Sequence, residues 1–122
     1  MYSPQVIEHF EHPRNVGEVE AASATAEVEN PACGDIMRLS LRVEGGRIAE
    51  ARFRTQGCVT AIACGSALTE MLAGRTVAEA AGLRREELVT ILGGLSNETM
   101  HASHLAMDAL RTALQRVPGA SQ

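Results

Sequence analysis

The 122-residue sequence predicts an α+β fold in which a three-stranded antiparallel sheet carries helices packed on one face. Two observations point there. Between residues 24 and 54 apolar and polar residues alternate with a period of two, and after Gly57 the apolar spacing changes to that of a helix. Strands first and helices second is the order of an α+β domain, not of alternating βαβ units.

Each element has its own signal. In SPQVIEHFEH at 3–12, Ser3 is an N-cap candidate, Pro4 takes the first helical position, and Val6, Ile7 and Phe10 fall on one face, which predicts a short amphipathic helix stopped by Pro13. PRNVGEVE reads as a turn-rich connector. Ala24, Ala26 and Val28 alternate with Thr25, Glu27 and Glu29. Met37, Leu39, Leu41 and Val43 alternate with Arg38, Ser40 and Arg42, and Ala49, Ala51 and Phe53 with Glu50, Arg52 and Arg54. Gly45-Gly46 joins the second and third runs by a tight turn, so the three form a meander with one wet face. Residues 60–74 read as a helix with Thr60 as N-cap and Gly74 just past its end. Thr76 and Glu79 fit a capping box, Arg85–Leu92 is a short helix ended by Gly93-Gly94, and a long helix is predicted from about 98 to 116. On this last helix Met100, Met107, Leu110, Leu114 and Val117 form a core stripe, and His101, His104, Asp108 and Arg111 the neighbouring one.

Length and charge set bounds. Residues 1–122 are predicted to be one domain with 118–122 a disordered tail; at this size about two-thirds of the unfolded surface can be buried, enough for a core without disulfide staples. Eleven Lys and Arg against fifteen Asp and Glu give a net charge of −4, which offers nucleic acid no basic field, and three aromatic residues give no stacking platform. No apolar run approaches the ~18 residues that span a bilayer, and the polar opening MYSPQVIEHFEHPRN has no signal-peptide core, so no membrane is expected and the cytoplasm is the predicted location. Three cysteines without a secretion signal favour thiol chemistry or metal binding over a disulfide framework.

Cys33-Gly34-Asp35 lies between two strands, where Gly34 permits a sharp turn that can aim a thiolate and a carboxylate at one point; a buried structural cysteine beside a turn aspartate fits the tripeptide equally. Cys58 falls at the strand-to-helix junction, where the helix N-terminus favours thiolate. Cys64 is six residues on, roughly 240° round the helix axis, and reads as a small core residue. His101 and His104 are one turn apart and can share a face as metal ligands do, or be solvated surface residues. His9 and His12 have the same spacing beside Pro13 and read as surface capping residues.

YSPQVIEHFEHPRNVGEV at 2–19, NPACGD at 30–35, FRTQGCVTAIACGS at 53–66 and MHASHLAMDAL at 100–110 together resemble the NifU/IscU family of iron–sulfur cluster scaffold proteins, in order and without large gaps from about residue 2 to 116. The resemblance implies a scaffold, not a turnover enzyme. Such a scaffold collects iron, takes sulfur from a cysteine desulfurase, holds a 2Fe-2S cluster or a zinc ion, and passes the cluster to recipient apo iron–sulfur proteins. Residue by residue, it makes Cys33 the first thiolate ligand, Asp35 the carboxylate that tunes cluster lability, Cys58 the second thiolate and His101 the family's histidine.

The chain departs from the family pattern directly after that histidine, where the family has a third cysteine and this sequence has Ala102. Serine is usual where Cys64 stands and an aliphatic residue where His104 stands, and LSNET at 95–99 differs from the Pro-Pro-Val-Lys type of segment that a chaperone system reads in some members. Cys33, Asp35, Cys58 and His101 still offer two sulfurs, one nitrogen and one oxygen, a set that suits tetrahedral zinc or iron, with His104 as an auxiliary ligand. Two functions are therefore expected in order: a cluster scaffold or carrier with a variant site, and a zinc-stabilised binding module that docks a desulfurase or target without building clusters. A Cys-His hydrolase comes last, since no feature marks an oxyanion hole or substrate pocket.

Overall fold

The computed structural model describes residues 2–119. In chain order these form α1 (Pro4–Glu11), β1 (Ala24–Glu29), β2 (Ile36–Glu44), β3 (Arg47–Gln56), α2 (Val59–Leu72), α3 (Val77–Ala81), α4 (Arg85–Ile91) and α5 (His101–Arg116). The sheet is antiparallel with strand order β1-β2-β3, the predicted meander.

Ser3 caps α1 by accepting from the Val6 N–H at 3.0 Å, and its hydroxyl donates to the Leu92 carbonyl. The buried face of α1 is not the predicted one. Val6 and His9 are buried, whereas Ile7 and Phe10 are 41% and 38% exposed. The reason is polar: Ser66 on α2 accepts from the Arg14 N–H at 2.9 Å, and its hydroxyl is hydrogen-bonded to His9 Nδ1 at 2.7 Å. His9 is therefore a buried bolt between two helices and not a surface cap, while His12 is exposed at the C-cap as predicted. The connector that follows is stitched to the sheet edge, with the Phe53 N–H donating to the Asn15 carbonyl and the Gly17 N–H to the Phe53 carbonyl, each at 2.9 Å.

The sheet turns Ala26, Met37, Leu39, Leu41, Ile48, Ala51 and Phe53 inward. Alternation breaks at one point. Arg42 pairs with Glu50 and Val43 with Ile48, so Ala49 is an extra residue in a bulge, and Ile48 points inward where the sequence pattern assigns Ala49. Gly45 and Gly46, at φ 60° and 77°, make the turn that ends β2. Helices α2 and α5 lie across the inner face with Ala63, Ala67, Leu68 and Leu72 from one and Ala106, Ala109, Leu110 and Ala113 from the other. The alanines let both helices approach the sheet closely, and each large side chain in this core contributes about 1.5–3 kcal/mol relative to exposure.

Two helix starts differ from the sequence reading, and both matter for the site. α2 starts at Val59, with Cys58 as N-cap, and Thr60 is wholly buried in its first turn. α5 starts at His101 and not at 98, because Ser96–Thr99, Thr99–Ala102 and Met100–Ser103 close successive i→i+3 backbone bonds that wind the chain too tightly for an α-turn. The Thr76/Glu79 capping box forms as predicted. On α5 the core stripe holds at Met107, Leu110, Leu114 and Val117, whereas Met100 is half-buried. Pro118 and Gly119 form a turn; the rest of the predicted disordered tail lies outside the described residues.

Candidate metal centre

Three chain segments meet at one end of the sheet: the β1–β2 loop, the β3–α2 junction and the first turn of α5. The loop is folded on Asn30, whose side-chain oxygen accepts from the Ala32 N–H at 2.9 Å and whose carbonyl accepts from the Gly34 N–H at 2.7 Å. Its own N–H donates to the Asp35 carbonyl at 2.8 Å. Gly34 sits at φ 79°, a conformation that a side chain disfavours, and it reverses the chain between the flanking residues. Cys33 is left exposed at the tip while Asp35 turns inward.

One ligand atom each from Cys33, Asp35 and His101 lies within 4.8 Å of the others. His101 Nε2 is 3.8 Å from Asp35 Oδ2, and the Asp35 side chain is only 10% exposed. Asp35 Oδ2 is buried without a hydrogen-bond partner among the described residues. Such an oxygen is costly unless a cation reaches it, so the donor set and the orphaned carboxylate together fit a bound metal ion.

Cys58 stands half-buried beside Asp35 but outside the 4.8 Å group. Its thiol is not the ready thiolate that a helix N-terminus suggests. Burial pushes its pKa up; the Ala61 amide pulls the other way, the neighbouring Asp35 adds to the rise, and the Thr60 amide opposes it. Ligation at Cys58 therefore releases a proton. Cys64 is wholly buried in the core, where burial, with Cys58 nearby, pushes its thiol up to about 12. Its core reading from helical angle stands.

The auxiliary histidine fares differently. His104 is exposed and lies outside the Cys33, Asp35 and His101 group, because α5 begins at His101 and turns its next residues, Ala102 and Ser103, into the interior. Ala102 has no exposed surface. One residue that the sequence reading treats only as punctuation is built into the site: a Cβ on Gly57 would stand 2.6 Å from Asp35 Cγ. The signal available was a glycine directly before Cys58 at a strand end.

The family profile described as "NifU-like N terminal domain" matches residues 1–122. The chain belongs to that family. It is 46% identical over 114 residues to the protein named iron–sulfur cluster assembly scaffold protein IscU 1 of Archaeoglobus fulgidus, covering 93% of this chain and 74% of that one. To the scaffold protein IscU of Azotobacter vinelandii it is 43% identical, with 93% and 91% covered. The iron–sulfur cluster assembly enzyme IscU of Drosophila melanogaster is 41% identical, with 93% and 76% covered. The fold of this NifU-like domain is shared with a NifU-like protein of Brucella abortus at a TM-score of 0.77 and 16% identity, covering 95% and 93% of the two chains. A SUF-system scaffold of Fervidobacterium islandicum gives 0.76 at 19%, covering 92% and 95%. Among the described residues no helix is long and apolar enough to cross a membrane.

Proposed function

We propose that this NifU-like domain is an iron–sulfur cluster assembly scaffold whose site is formed by Cys33, Asp35, Cys58 and His101. The observation that carries the reading is the convergence of Cys33, Asp35 and His101 within 4.8 Å around a buried, unpartnered carboxylate oxygen, with Cys58 against the same carboxylate. Two thiolates, an imidazole and a carboxylate suit either zinc or the two irons of a 2Fe-2S cluster, since mixed Cys/His ligation is compatible with such clusters. The cluster is cargo. Cys33, exposed on its loop, faces incoming iron and sulfur, and Cys58 closes the set from the helix side.

The sulfur source in this reading is a cysteine desulfurase and the acceptors are apo iron–sulfur proteins in the cytoplasm. Relatives named as assembly scaffolds support the role without naming those partners. The chain does not itself turn over substrate in this scheme. One observation favours a second reading, a zinc-holding docking module: Ala102 is wholly buried and offers no ligand atom at the position where the resemblance implies a third cysteine.

Anaerobic reconstitution with iron, sulfide and reductant separates the two. A scaffold gains visible charge-transfer absorbance and near-stoichiometric acid-labile sulfide. Retention of zinc alone under those conditions selects the docking module, and uptake of neither ion rejects both.

A further inference from the structure

Gly57 differs from Gly34, Gly45 and Gly46, which sit at positive φ. It is absent from the positive-φ positions, so its backbone is one that any residue adopts. What requires glycine here is space. The three atoms nearest an added Cβ are all of one carboxylate, Asp35 Cγ at 2.6 Å, Oδ1 at 2.8 Å and Oδ2 at 3.0 Å. Real Cβ atoms do not come that close to another heavy atom, so a side chain at 57 and the Asp35 carboxylate cannot both hold their places.

The carboxylate also cannot simply back away with its chain. Ile36 pairs with Gln56 in the β2–β3 ladder, which sets Asp35 and Gly57 opposite one another one step beyond its end. The Asp35 carbonyl is held by the Asn30 N–H at 2.8 Å. With the backbone pinned on both sides, the side chain must change rotamer to clear a Cβ, and its place beside Cys33 and His101 is lost.

We propose that Gly57 is a positioning residue for the metal centre, its missing side chain being the room in which the Asp35 carboxylate lies as an oxygen donor. The inference rests on the reading of Cys33, Asp35, Cys58 and His101 as a metal site. Glycine at 57 thus selects the donor set: with it the site offers sulfur, nitrogen and oxygen, and with alanine the oxygen is withdrawn while both thiols and the imidazole remain.

The test is a cycle of Gly57→Ala, Asp35→Ala and the double variant. It reads zinc affinity by chelator competition, the visible spectrum of the cobalt(II) form, and thermal melting of the metal-free protein. Gly57→Ala is expected to weaken zinc binding about 10- to 100-fold, as outer-shell changes at metal sites do. The loss should match that of Asp35→Ala within about twofold, and the two cobalt spectra should overlay. Added to Asp35→Ala, it should change neither affinity nor spectrum, because the group it displaces is gone. Metal-free Gly57→Ala should melt below the wild type and the double variant should recover to the level of Asp35→Ala, which keeps the test open even where the single variant folds poorly. The proposal is overturned by a Gly57→Ala protein with wild-type affinity and spectrum, by a further loss of affinity in the Asp35→Ala background, or by a double variant that does not recover. A wild type that binds neither zinc nor cobalt refutes the metal-site reading, and the inference with it. A wild type that binds while Gly57→Ala is silent overturns the inference alone.

Discussion

His101 Nε2 lies 3.8 Å from Asp35 Oδ2, and that carboxylate oxygen has no hydrogen-bond donor among the described residues. A buried polar atom left in this state costs about 1–3 kcal/mol. In the proposed metal site this is a cost that a bound cation would relieve. Metal-free Asp35→Ala is expected to be more stable than the wild type, melting a few degrees higher, while zinc raises the melting temperature of the wild type more than that of the variant. Calorimetric scans with and without zinc check both. A variant that melts lower in the metal-free form contradicts this account of Asp35.

The three thiols occupy three different environments: Cys33 exposed at a loop tip, Cys58 half-buried at the α2 N-cap, Cys64 inside the core. Cys33→Ser and Cys58→Ser are each expected to abolish stoichiometric zinc uptake. Cys64→Ser should keep it nearly intact while destabilising the fold by about 1–3 kcal/mol, because a hydroxyl replaces a thiol at a wholly buried position. Zinc stoichiometry and chemical denaturation of the three variants give the answer, and equal retention of metal by all three would remove the site assignment.

Because burial and Asp35 hold the Cys58 thiol above its ordinary pKa, that thiol carries a proton throughout neutral pH and must lose it to ligate. Zinc uptake should release at least one proton, and apparent affinity should rise with pH by about tenfold per unit for each thiol so deprotonated. Titration calorimetry in two buffers of different ionisation enthalpy measures the proton count. The Cys58→Ser variant at a zinc concentration high enough to load any residual site should show fewer protons released.

The strands, the Ser3 cap and the Thr76/Glu79 box were legible in sequence because each is fixed within a few residues by alternation or by a cap's own hydrogen bonds. Readings that depended on what stands opposite a residue failed. The α1 wheel placed Ile7 and Phe10 inside, but the partner face offered Ser66, which a histidine satisfies and an aliphatic side chain cannot. Alternation assigned Ala49 to the core, yet a one-residue bulge against β2 hands that place to Ile48. The set Cys33, Asp35, Cys58 and His101 comes from the resemblance that four motifs carry together; the structure brings ligand atoms of Cys33, Asp35 and His101 within 4.8 Å and leaves Cys58 outside that group, an approach of a loop and a distant helix that no local rule gives. Gly57 carries only a local signal, a glycine directly before Cys58 at a strand end; what fills the place of its missing Cβ is the carboxylate of Asp35, opposite it one step beyond the β2–β3 ladder.

The buried bolt of α1 predicts a pH dependence of stability away from the metal centre. Burial first, and then the Arg14 charge, lower the His9 pKa from 6.5, opposed by Glu70 and Glu8. With a folded pKa below the unfolded one, the unfolded chain binds more protons between the two values, so stability falls as pH drops from about 6.5 toward the folded pKa. Above 6.5 the term is fully present. The denaturation midpoint of metal-free protein should accordingly decline between pH 7.5 and 5.5 in the wild type and decline less in His9→Gln. An unchanged slope in the variant would assign the dependence to another group.

Ala102 lies one step beyond His101 on α5 and has no exposed surface. Alanine cannot ligate or carry a persulfide, so in the proposed scaffold sulfur must be received elsewhere, at Cys33 or Cys58. His104 is exposed and lies outside the group of Cys33, Asp35 and His101, and an imidazole accepts a metal but not a sulfane sulfur. Ala102→Cys is therefore expected to raise desulfurase-driven cluster assembly several-fold and to change sulfide-driven reconstitution much less. Sulfide reaches iron without a protein acceptor, whereas a desulfurase must hand its sulfur to a thiol. Burial adds a condition on that gain. The first turn of α5 is tied by the bonds from the Ala102 N–H to the Thr99 carbonyl and from the Ser103 N–H to the Met100 carbonyl, at 3.1 and 3.0 Å, so the new thiol reaches a donor only when this turn opens. Hydrogen exchange at Ala102 and Ser103 should then speed up when the desulfurase binds. Side-by-side assembly rates of the wild type and Ala102→Cys decide the matter: no gain with the desulfurase means that an existing thiol already serves as acceptor, or that this domain docks partners without assembling clusters.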